Sequence, residues 1–344
     1  MLRATVRPTK SEAEMARILL THIPEMLANY YGERAVAALR KLGEVRLNET
    51  GKVLDAAALA EVARGCEIVI SDRQTAAPAA FFERSPDVVA FLRCAIDIRN
   101  IDVSAASKAG ILVTQATAGF IASVSELAIG FMVDLSRQVP AAVAEYRAGT
   151  EAGVRMGRQL QGATLGILGY GQIGLYLARL GRALGMTVLV SDPHKTVLEP
   201  GVRQATQAEV LAASDFVVCL VVATEATENL MDASAFARMK PTAYFINLSR
   251  GNLVDEAALE RALDERRIAG AAMDVGRAPD QRPSLRLARR PDVIATPHIA
   301  GLTPEAIEHQ AFDTVEQAAA LVAGKIPPHA VNTEHATRLG RLRA

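Results

Sequence analysis

The fold is decided by residues 164–174, which read TLGILGYGQIG, together with Asp192 eighteen residues farther on. The first five residues form an apolar run typical of a buried strand, and the apolar side chains beyond Gly174 recur at the spacing of a helix face. A second apolar run, 186–191, leads directly to the acid. A Gly-x-Gly-x-x-Gly motif in this setting predicts a dinucleotide-binding turn, although a glycine-rich turn that binds nothing is the alternative.

Each residue type in the motif suits the binding of a pyrophosphate. Gly169 permits a tight turn, Gly171 lets backbone amides approach the phosphates, and Gly174 lets the helix pack closely on the strand. The amides of Gln172 and Ile173 would point at the phosphates from a helix N-terminus, where the helix dipole favours an anion.

The acid that follows the second strand indicates which dinucleotide binds. The carboxylate of Asp192 would accept hydrogen bonds from the ribose hydroxyls, and its charge would repel a 2′-phosphate. The sequence therefore predicts NAD, rather than NADP, as the cofactor.

The charge balance argues against several partners. Lys and Arg total 38 and Asp and Glu total 38, so the net charge is zero. Such a chain has no general attraction for nucleic acid or for an acidic membrane surface. Residues 1–10 lack an apolar signal core, and no apolar run approaches the roughly 18 residues of a membrane span. We expect neither a nucleic-acid nor a membrane partner, and we interpret Arg338, Arg341 and Arg343 as a solvated tail.

The cysteines indicate the compartment. Cys66, Cys94 and Cys219 are scattered among apolar segments. An odd number without regular spacing predicts neither a disulfide framework nor a metal site. Free cysteines suit a reducing environment, so we expect a cytoplasmic protein without a bound metal.

Strand-like and helix-like segments alternate along most of the chain, which predicts parallel α/β sheets. The dinucleotide motif normally opens its domain, so the residues before it should form a separate unit. In that unit we predict strands at 45–47, 66–70, 91–96 and 111–114 and helices at 11–20 and 55–63. From 123 to 148 we predict one long amphipathic helix, with Ser123 as N-cap and Glu126 completing a capping box.

The alternation continues after Asp192. We predict helices at 207–213, 233–239 and 256–265 and strands at 215–222, 243–248, 270–275 and 293–295. About seven parallel strands fit a Rossmann doubly wound sheet. A helix from 304 to about 323 follows the completed sheet, and we expect it to pack back on the first unit. The prediction is an α/β chain with an NAD-binding Rossmann domain at 116–302 and a discontinuous, flavodoxin-like α/β substrate domain made from both chain ends, 1–115 and 303–344.

Three polar residues, Arg250, Asp274 and His298, lie at the carboxyl ends of predicted strands, where doubly wound sheets bind ligands. Hydride transfer to or from a 2-hydroxy acid needs a fixed cation for the carboxylate, and a guanidinium makes two parallel hydrogen bonds to it. It also needs a group that moves the hydroxyl proton near neutral pH, which suits histidine. A surface arginine and a loop histidine are the ordinary alternatives, but together on these strand ends Arg250 and His298 indicate a catalytic site.

The stretches that carry a family resemblance are 165–174, MKP at 239–241, NLSRG at 247–251, AMDV at 272–275 and TPH at 296–298. With these motifs, residues 111–304 resemble the D-isomer-specific 2-hydroxyacid dehydrogenases, which include phosphoglycerate dehydrogenase and the glyoxylate/hydroxypyruvate reductases. NID at 100–102 and GILV at 110–113 extend the resemblance toward the N-terminus.

The resemblance implies a role for several residues. Arg250 would anchor the substrate carboxylate, and His298 would be the general acid/base. Asp274 would hold the nicotinamide carboxamide, and Leu248 would contribute backbone contacts to the cofactor. The resemblance also implies a homodimer, with the helix from Ser123 close to its interface.

The chain departs from the family where a glutamate normally hydrogen-bonds the catalytic histidine. That position is Pro279, which cannot orient an imidazole, and Asp280 is the nearest carboxylate. A carboxylate partner favours the charged imidazolium. We therefore hypothesise a His298–Asp280 pair, with an ordinary solvated loop acid as the alternative.

A second departure lies in the expected substrate loop, which includes Ile96 and Asp97. Family members usually carry glycines where this chain has Ala95 and Asp97. An acid here should disfavour a second anionic group on the substrate, which makes phosphoglycerate an unexpected substrate. Asp97 could instead pair with Arg99 or cap a turn.

The function indicated by these residues is NAD-dependent interconversion of a D-2-hydroxy acid and its 2-keto acid, both small molecules. Two alternatives stay open. A relative that oxidises formate needs no general acid, so it would tolerate the missing glutamate. An NAD(H)-sensing binding protein resembling the transcriptional corepressors of this fold would keep similar residues without turnover.

Overall fold

The computed structural model describes residues 15–278 and 280–342. Contacts divide the chain into two compact units. The first, which we call the terminal unit, comprises the residues up to Gly119 and from Pro304 onward. The second, the central unit, is Phe120–Thr303. The predicted domain limits were 115/116 and 302/303, and the contacts divide the chain at 119/120 and 303/304.

The terminal unit is built on a five-stranded parallel sheet in the order β2-β1-β3-β4-β5. This is the flavodoxin-like order, with its switch point between β1 and β3. The strands are β1 Ala16–Leu20, β2 Gly43–Leu47, β3 Ile68–Ser71, β4 Ala90–Arg93 and β5 Leu112–Gln115. The helices are α1 Pro24–Tyr30, α2 Glu33–Leu39, α3 Ala56–Val62, α4 Ala79–Glu83, α5 Val103–Lys108 and α13 Pro304–Val322.

Both faces of this sheet are covered. Successive strand residues point to opposite faces, so Ile18 and Leu20 join a core with α2 and α13, whereas Leu19 joins the core formed with α3 and α4. The late helix α13 therefore completes one face of a sheet made from the N-terminal strands.

The central unit contains a seven-stranded parallel sheet in the order β12-β11-β10-β9-β6-β7-β8. Its strands are β6 Thr164–Leu168, β7 Thr187–Ser191, β8 Val202–Gln204, β9 Phe216–Cys219, β10 Tyr244–Asn247, β11 Gly270–Met273 and β12 Val293–Ala295. Its helices are α6 Ile121–Arg137, α7 Val139–Arg147, α8 Gln172–Ala183, α9 Gln207–Ala213, α10 Ala233–Ala237, α11 Glu256–Asp264 and α12 Leu285–Ala288. The first six strands have the doubly wound order, which confirms the predicted Rossmann sheet.

Two predicted helices were wrong, one near the N-terminal side of each unit. The predicted helix at 11–20 is strand β1 from Ala16 onward, because the segment pairs with both β2 and β3 and all its residues except Arg17 are buried; residues 11–14 lie outside the described residues. The predicted helix at 123–148 is two helices, since Gln138 adopts a left-handed φ of 53° and Pro140 cannot continue the hydrogen-bond pattern of α6.

Further differences concern polar contacts. Ser123 does not cap a helix: α6 begins at Ile121, and the Ser123 hydroxyl hydrogen-bonds the hydroxyl of Thr303 at 2.8 Å. The short edge strand β8 was not predicted, because three residues give little periodicity. Arg338 and Arg341 do not belong to a solvated tail, since they donate to backbone carbonyls at 85–88; Arg343 lies outside the described residues.

No single helix among the described residues is long and apolar enough to cross a membrane, although α6 and α7, bent by 68° at their junction, meet that test as a pair.

Candidate active site

The turn between β6 and α8 has the geometry that the glycine motif predicts. Gly169 has a φ of 95°, and a Cβ there would lie 2.7 Å from the carbonyl oxygen of Leu220. A Cβ at Gly174 would lie 2.3 Å from the carbonyl oxygen of Gly169, so helix and turn touch backbone to backbone. At Gly171, the N-cap of α8, a Cβ would meet open space. The turn is therefore packed closely against backbone at Gly169 and Gly174 and is open at Gly171, the N-terminus of α8. The residues at that N-terminus fit a pyrophosphate.

Asp192 fastens this turn as well as presenting a carboxylate beside it. One carboxylate oxygen accepts the backbone N–H of Tyr170 at 2.7 Å and the other accepts that of His194 at 2.8 Å. Burial alone would raise the pKa of Asp192, but backbone N–H groups of Tyr170, His194 and Lys195 outweigh it and hold the pKa below its usual range. Asp192 is thus a fixed anion at the end of β7.

Arg250 lies in the turn that follows β10, and hydrogen bonds made by the last residue of that strand, Asn247, hold this turn. The Asn247 side chain accepts the backbone N–H of Ser249 at 3.1 Å and donates to the carbonyl oxygen of Arg250 at 3.0 Å. The Ser249 hydroxyl donates to the carbonyl oxygen of Val221 at 2.5 Å, which ties the turn to the end of β9. The Arg250 guanidinium donates to the carbonyl oxygen of Ser249 at 2.8 Å. Leu248, also predicted to contact the cofactor, is buried in this segment.

The turn also packs against the segment that follows β11. A Cβ on Gly251 would lie 2.0 Å from the carbonyl carbon of Gly276, so the two backbones approach as closely as glycine allows. Arg277 reinforces the contact, because its guanidinium donates to the carbonyl oxygens of Asn252 and Val254 and to the carboxylate of Glu228.

Asp274 lies at the end of β11 and is completely buried. One of its oxygens accepts the Thr296 hydroxyl at 2.6 Å and the backbone N–H of Ile299 at 2.8 Å. The other accepts the backbone N–H of Ala300 at 2.8 Å. Between these donors lies His298, an exposed residue with a left-handed φ of 61°.

Asp280 is exposed in the loop beyond β11. Its carboxylate accepts the backbone N–H of Arg282 at 3.1 Å and forms an ion pair with the Arg282 side chain at 3.4 Å. Pro279, the family's glutamate position, lies outside the described residues. Within the central unit the structure therefore brings the glycine turn, Arg250, Asp274 and His298 to the carboxyl edge of one sheet.

In the terminal unit the predicted substrate loop follows β4. Asp97 accepts the backbone N–H and the guanidinium of Arg99, at 3.0 Å and 2.6–3.1 Å. The hydrogen bonds from the Arg99 side chain lower the pKa of Asp97 to about 2. The alternative in which Asp97 pairs with Arg99 is thus the one observed. Ile96, also assigned to this loop, is partly exposed beside it.

The residue that organises this edge of the terminal unit is Arg93, which the sequence prediction missed. Its buried guanidinium donates to the carbonyl oxygens of Asp72, Arg73, Thr75 and Asp97, and so joins the loops that follow β3 and β4. The available signal was an arginine inside the apolar run AFLRCAI at 90–96, because charged groups are rarely buried without partners.

A small cavity lies at the same edge, beyond the carboxyl ends of β1 and β3. Residues from both strand ends and from α1, β4 and α13 line it: His22, Met26, Tyr30, Asp72, Arg73, Cys94, Ile307 and Gln310. Burial lowers the pKa of His22 to about 4 and raises that of Cys94 to about 12, so both side chains are uncharged near neutral pH. No group of three or more His, Cys, Asp or Glu side chains able to hold a metal occurs within 15–278 and 280–342.

Comparison with known proteins gives a consistent result. The family model for "D-isomer specific 2-hydroxyacid dehydrogenase, NAD binding domain" matches residues 129–300. The (S)-sulfolactate dehydrogenase of Chromohalobacter salexigens is 34% identical over 296 residues, which cover 85% of this chain and 96% of that protein. The glyoxylate reductase of Korarchaeum cryptofilum is 32% identical over 282 residues, covering 80% and 85%.

The solved structures agree with the family model. The apo structure of D-lactate dehydrogenase from Escherichia coli superposes with a TM-score of 0.78 at 25% identity, covering 92% of this chain and 100% of that one. Matches to several phosphoglycerate dehydrogenases span 39–60% of the length of those proteins.

Proposed function

This chain belongs to the D-isomer-specific 2-hydroxyacid dehydrogenases, NAD-dependent oxidoreductases that interconvert 2-hydroxy acids and 2-keto acids, and we propose that Arg250 and His298 carry out this reaction in it. The observation that supports these roles is the shared carboxyl edge of β6, β10, β11 and β12, from which the glycine turn, Arg250, Asp274 and His298 follow. Ligands of doubly wound sheets bind at this edge.

In the proposed reaction Arg250 holds the substrate by its carboxylate. A guanidinium binds a carboxylate through two parallel hydrogen bonds, which fixes both the position and the rotation of the keto acid. His298 then donates a proton to the carbonyl oxygen as that oxygen becomes a hydroxyl, and takes the proton back in the oxidative direction. The cofactor, when bound, would supply the hydride as NADH in the reductive direction and accept it as NAD in the oxidative direction.

We propose that residues 116–302 bind the cofactor, with Gly169, Gly171, Gln172, Ile173 and Gly174 around the pyrophosphate. Asp192 would accept hydrogen bonds from the ribose hydroxyls, and Leu248 and Asp274 would contact the nicotinamide end. The open space at Gly171 and the fixed carboxylate of Asp192 support these assignments.

The terminal unit is the proposed substrate domain, 1–115 and 303–344. Its loop at Ile96 and Asp97 is held by Arg93, whose guanidinium donates to the carbonyl oxygen of Asp97 at 3.1 Å. Because the Asp97 carboxylate is paired with Arg99, its charge is partly neutralised and repels a second anionic group less than an unpaired acid would.

Asp280 stays our proposed carboxylate partner of His298. If Asp280 orients the imidazole, Asp280→Asn should lower turnover strongly and leave the affinity for NADH unchanged. The matched control is Arg282→Gln, which removes the cation that now pairs with Asp280. Turnover of Asp280→Asn equal to wild type would exclude the pair.

We further propose a homodimer that buries the apolar side chains of α7 and the segment after it. Val139, Val143, Tyr146, Val154 and Met156 are exposed there, and adjacent exposed apolar side chains are typical of interfaces. Light scattering should give twice 36.6 kDa for the wild type and a monomer for Tyr146→Glu/Met156→Glu.

The control for the dimer is Leu198→Glu, since Leu198 is also exposed but lies outside this segment. A wild-type mass of 36.6 kDa at micromolar concentration would contradict the proposal.

We also place the protein in the cytoplasm without a membrane partner, which cell fractionation tests; its buried free cysteines suit that compartment.

The decisive test of function is spectroscopic NADH oxidation with a panel of 2-keto acids, and NAD reduction with 2-hydroxy acids and with formate. Turnover of a 2-keto acid that is abolished in both Arg250→Gln and His298→Asn supports the proposed roles. Turnover of formate alone indicates the formate-oxidising alternative. Tight NADH binding without turnover of any compound indicates a nicotinamide-sensing binding protein.

A further inference from the structure

The buried carboxylate of Asp274 is occupied by donors from the segment that carries His298. Its three observed partners are the Thr296 hydroxyl and the backbone N–H groups of Ile299 and Ala300, at 2.6–2.8 Å. A carboxylate has about four acceptor positions, so most of its capacity serves this one segment.

The segment needs such a restraint because His298 has a disfavoured backbone. Its φ of 61° lies in the left-handed region, which residues with a side chain seldom occupy. The bonds to Asp274 hold the chain on both sides of that residue, at Thr296 before it and at Ile299 and Ala300 after it. A further bond from the His298 N–H to the carbonyl oxygen of Thr296, at 3.0 Å, closes the turn. Strained backbone that the surroundings enforce in this way is typical of functional sites.

We propose that Asp274 is a positioning residue for His298: its carboxylate fixes residues 296–300 in the turn that aims the imidazole at the substrate. The inference rests on the proposed role of His298 as general acid/base. It goes beyond the proposed contact of Asp274 with the nicotinamide end, because the turn would depend on the carboxylate whether or not the cofactor is bound. The location of the carboxylate supports the new role, because β11 is an inner strand of the sheet and Asp274 is rigid at its end.

The first experiment removes a donor that belongs to the turn. Thr296→Val keeps the shape of the side chain and deletes the hydroxyl that Asp274 accepts, whereas Thr296→Ser keeps the hydroxyl. For loss of one charge-assisted hydrogen bond we expect kcat of Thr296→Val to fall about tenfold. The NADH dissociation constant and the KM of the keto acid should stay unchanged, and Thr296→Ser should restore kcat. Equal kcat in wild type and Thr296→Val would overturn the proposal.

The second experiment separates the two roles of Asp274 directly. Asp274→Asn replaces one acceptor oxygen by a donor, so a backbone N–H of the turn loses its partner. Wild type and Asp274→Asn are compared with NADH and with the reduced 3-acetylpyridine analogue, in which a methyl group replaces the carboxamide nitrogen. If Asp274 positions His298, the variant should lose about a hundredfold in kcat with either cofactor, because the two changes are then independent.

The opposite result is equally clear. A defect of Asp274→Asn that disappears with the acetylpyridine analogue would assign Asp274 to the carboxamide and overturn the proposal. Should Asp274→Asn fail to fold, the Thr296 pair decides by itself. Failure of the proposed function is recognised separately, since the wild type would then turn over no 2-keto acid at all.

Discussion

Replacing Arg93 by methionine tests whether one buried guanidinium sets the geometry of the terminal unit. Arg93 is 2% exposed and donates to backbone carbonyl oxygens on two loops. Methionine has a similar volume and no hydrogen-bond donor. The substitution therefore leaves those carbonyl groups unsatisfied without opening a large cavity.

The expected loss of stability follows from the bonds that Arg93 donates to the carbonyl oxygens of Asp72, Arg73 and Asp97. A hydrogen bond from a charged donor contributes about 1.5–3 kcal/mol. The full sum is not lost, because the variant no longer desolvates a guanidinium. Burial of this group is costly enough to lower the pKa of Arg93. We expect a net loss of about 3–5 kcal/mol, because each buried carbonyl group that loses its donor costs about 1–3 kcal/mol.

The effect on function should be confined to the substrate. The KM for the best 2-keto acid should rise at least tenfold, because the loops at 72–75 and 94–99 lose their common support. The NADH dissociation constant, measured by fluorescence titration, should not change, since the proposed cofactor residues are in the central unit.

Calorimetry and steady-state kinetics measure both effects, with Arg99→Met as the matched control. Arg99 is a mostly exposed arginine of the same loop, so its ion pair with Asp97 should contribute less than about 1 kcal/mol. Arg93→Met with a stability within about 1 kcal/mol of the wild type, or with an unchanged KM, would refute the reasoning.

Three further outcomes are expected. Asp192→Asn removes a charge repulsion of about 2 kcal/mol between this carboxylate and a 2′-phosphate. The ratio of kcat/KM for NADH over kcat/KM for NADPH should therefore fall about 30-fold, and a change below about threefold would contradict the proposed ribose role. Arg250→Gln should lower kcat/KM for the keto acid about a thousandfold through two lost charge-assisted bonds, with NADH affinity unchanged. Burial lowers the pKa of His22 to about 4, so below about pH 6.5 the unfolded chain binds the proton first. The stability should therefore fall by up to about 3 kcal/mol from this residue as the pH decreases to 4, and thermal unfolding of His22→Gln should show a correspondingly smaller dependence on pH.

The architecture of the central unit was predictable because its signals are local. Apolar runs of strand length, the glycine turn and the helix spacing after Gly174 all lie close together in sequence. Errors arose where a tertiary contact outweighs the local pattern. The local pattern around β1 predicted a helix, and the segment is a strand because it pairs with two neighbouring strands. The break at Gln138 needs a backbone conformation that periodicity does not report.

The candidate site was predictable in its residue types and unpredictable in its connections. Arg250, Asp274 and His298 were chosen as candidates because parallel strand ends must meet at one edge, and the structure places them there. The contacts that hold the surrounding loops come from elsewhere in the chain: the Ser249 hydroxyl donates to the carbonyl oxygen of Val221, and Arg93 donates to that of Asp72. No spacing rule encodes such contacts, because they depend on how separate loops pack.

Asp274 shows why a motif fixes the identity of a residue better than its role. A short motif predicts that an acid follows β11, but it does not say what the acid binds. A carboxylate could accept hydrogen bonds either from the nicotinamide carboxamide or from a turn of the same chain. The structure adds the directions of three hydrogen bonds, all of them toward the segment around His298. Since that segment holds a strained residue, loss of the acid should displace the imidazole of His298 more than it weakens cofactor binding. Where the family resemblance leads us to expect a glutamate beside His298, this chain has Pro279, so we expect the imidazole to be oriented by this backbone restraint together with the proposed partner Asp280.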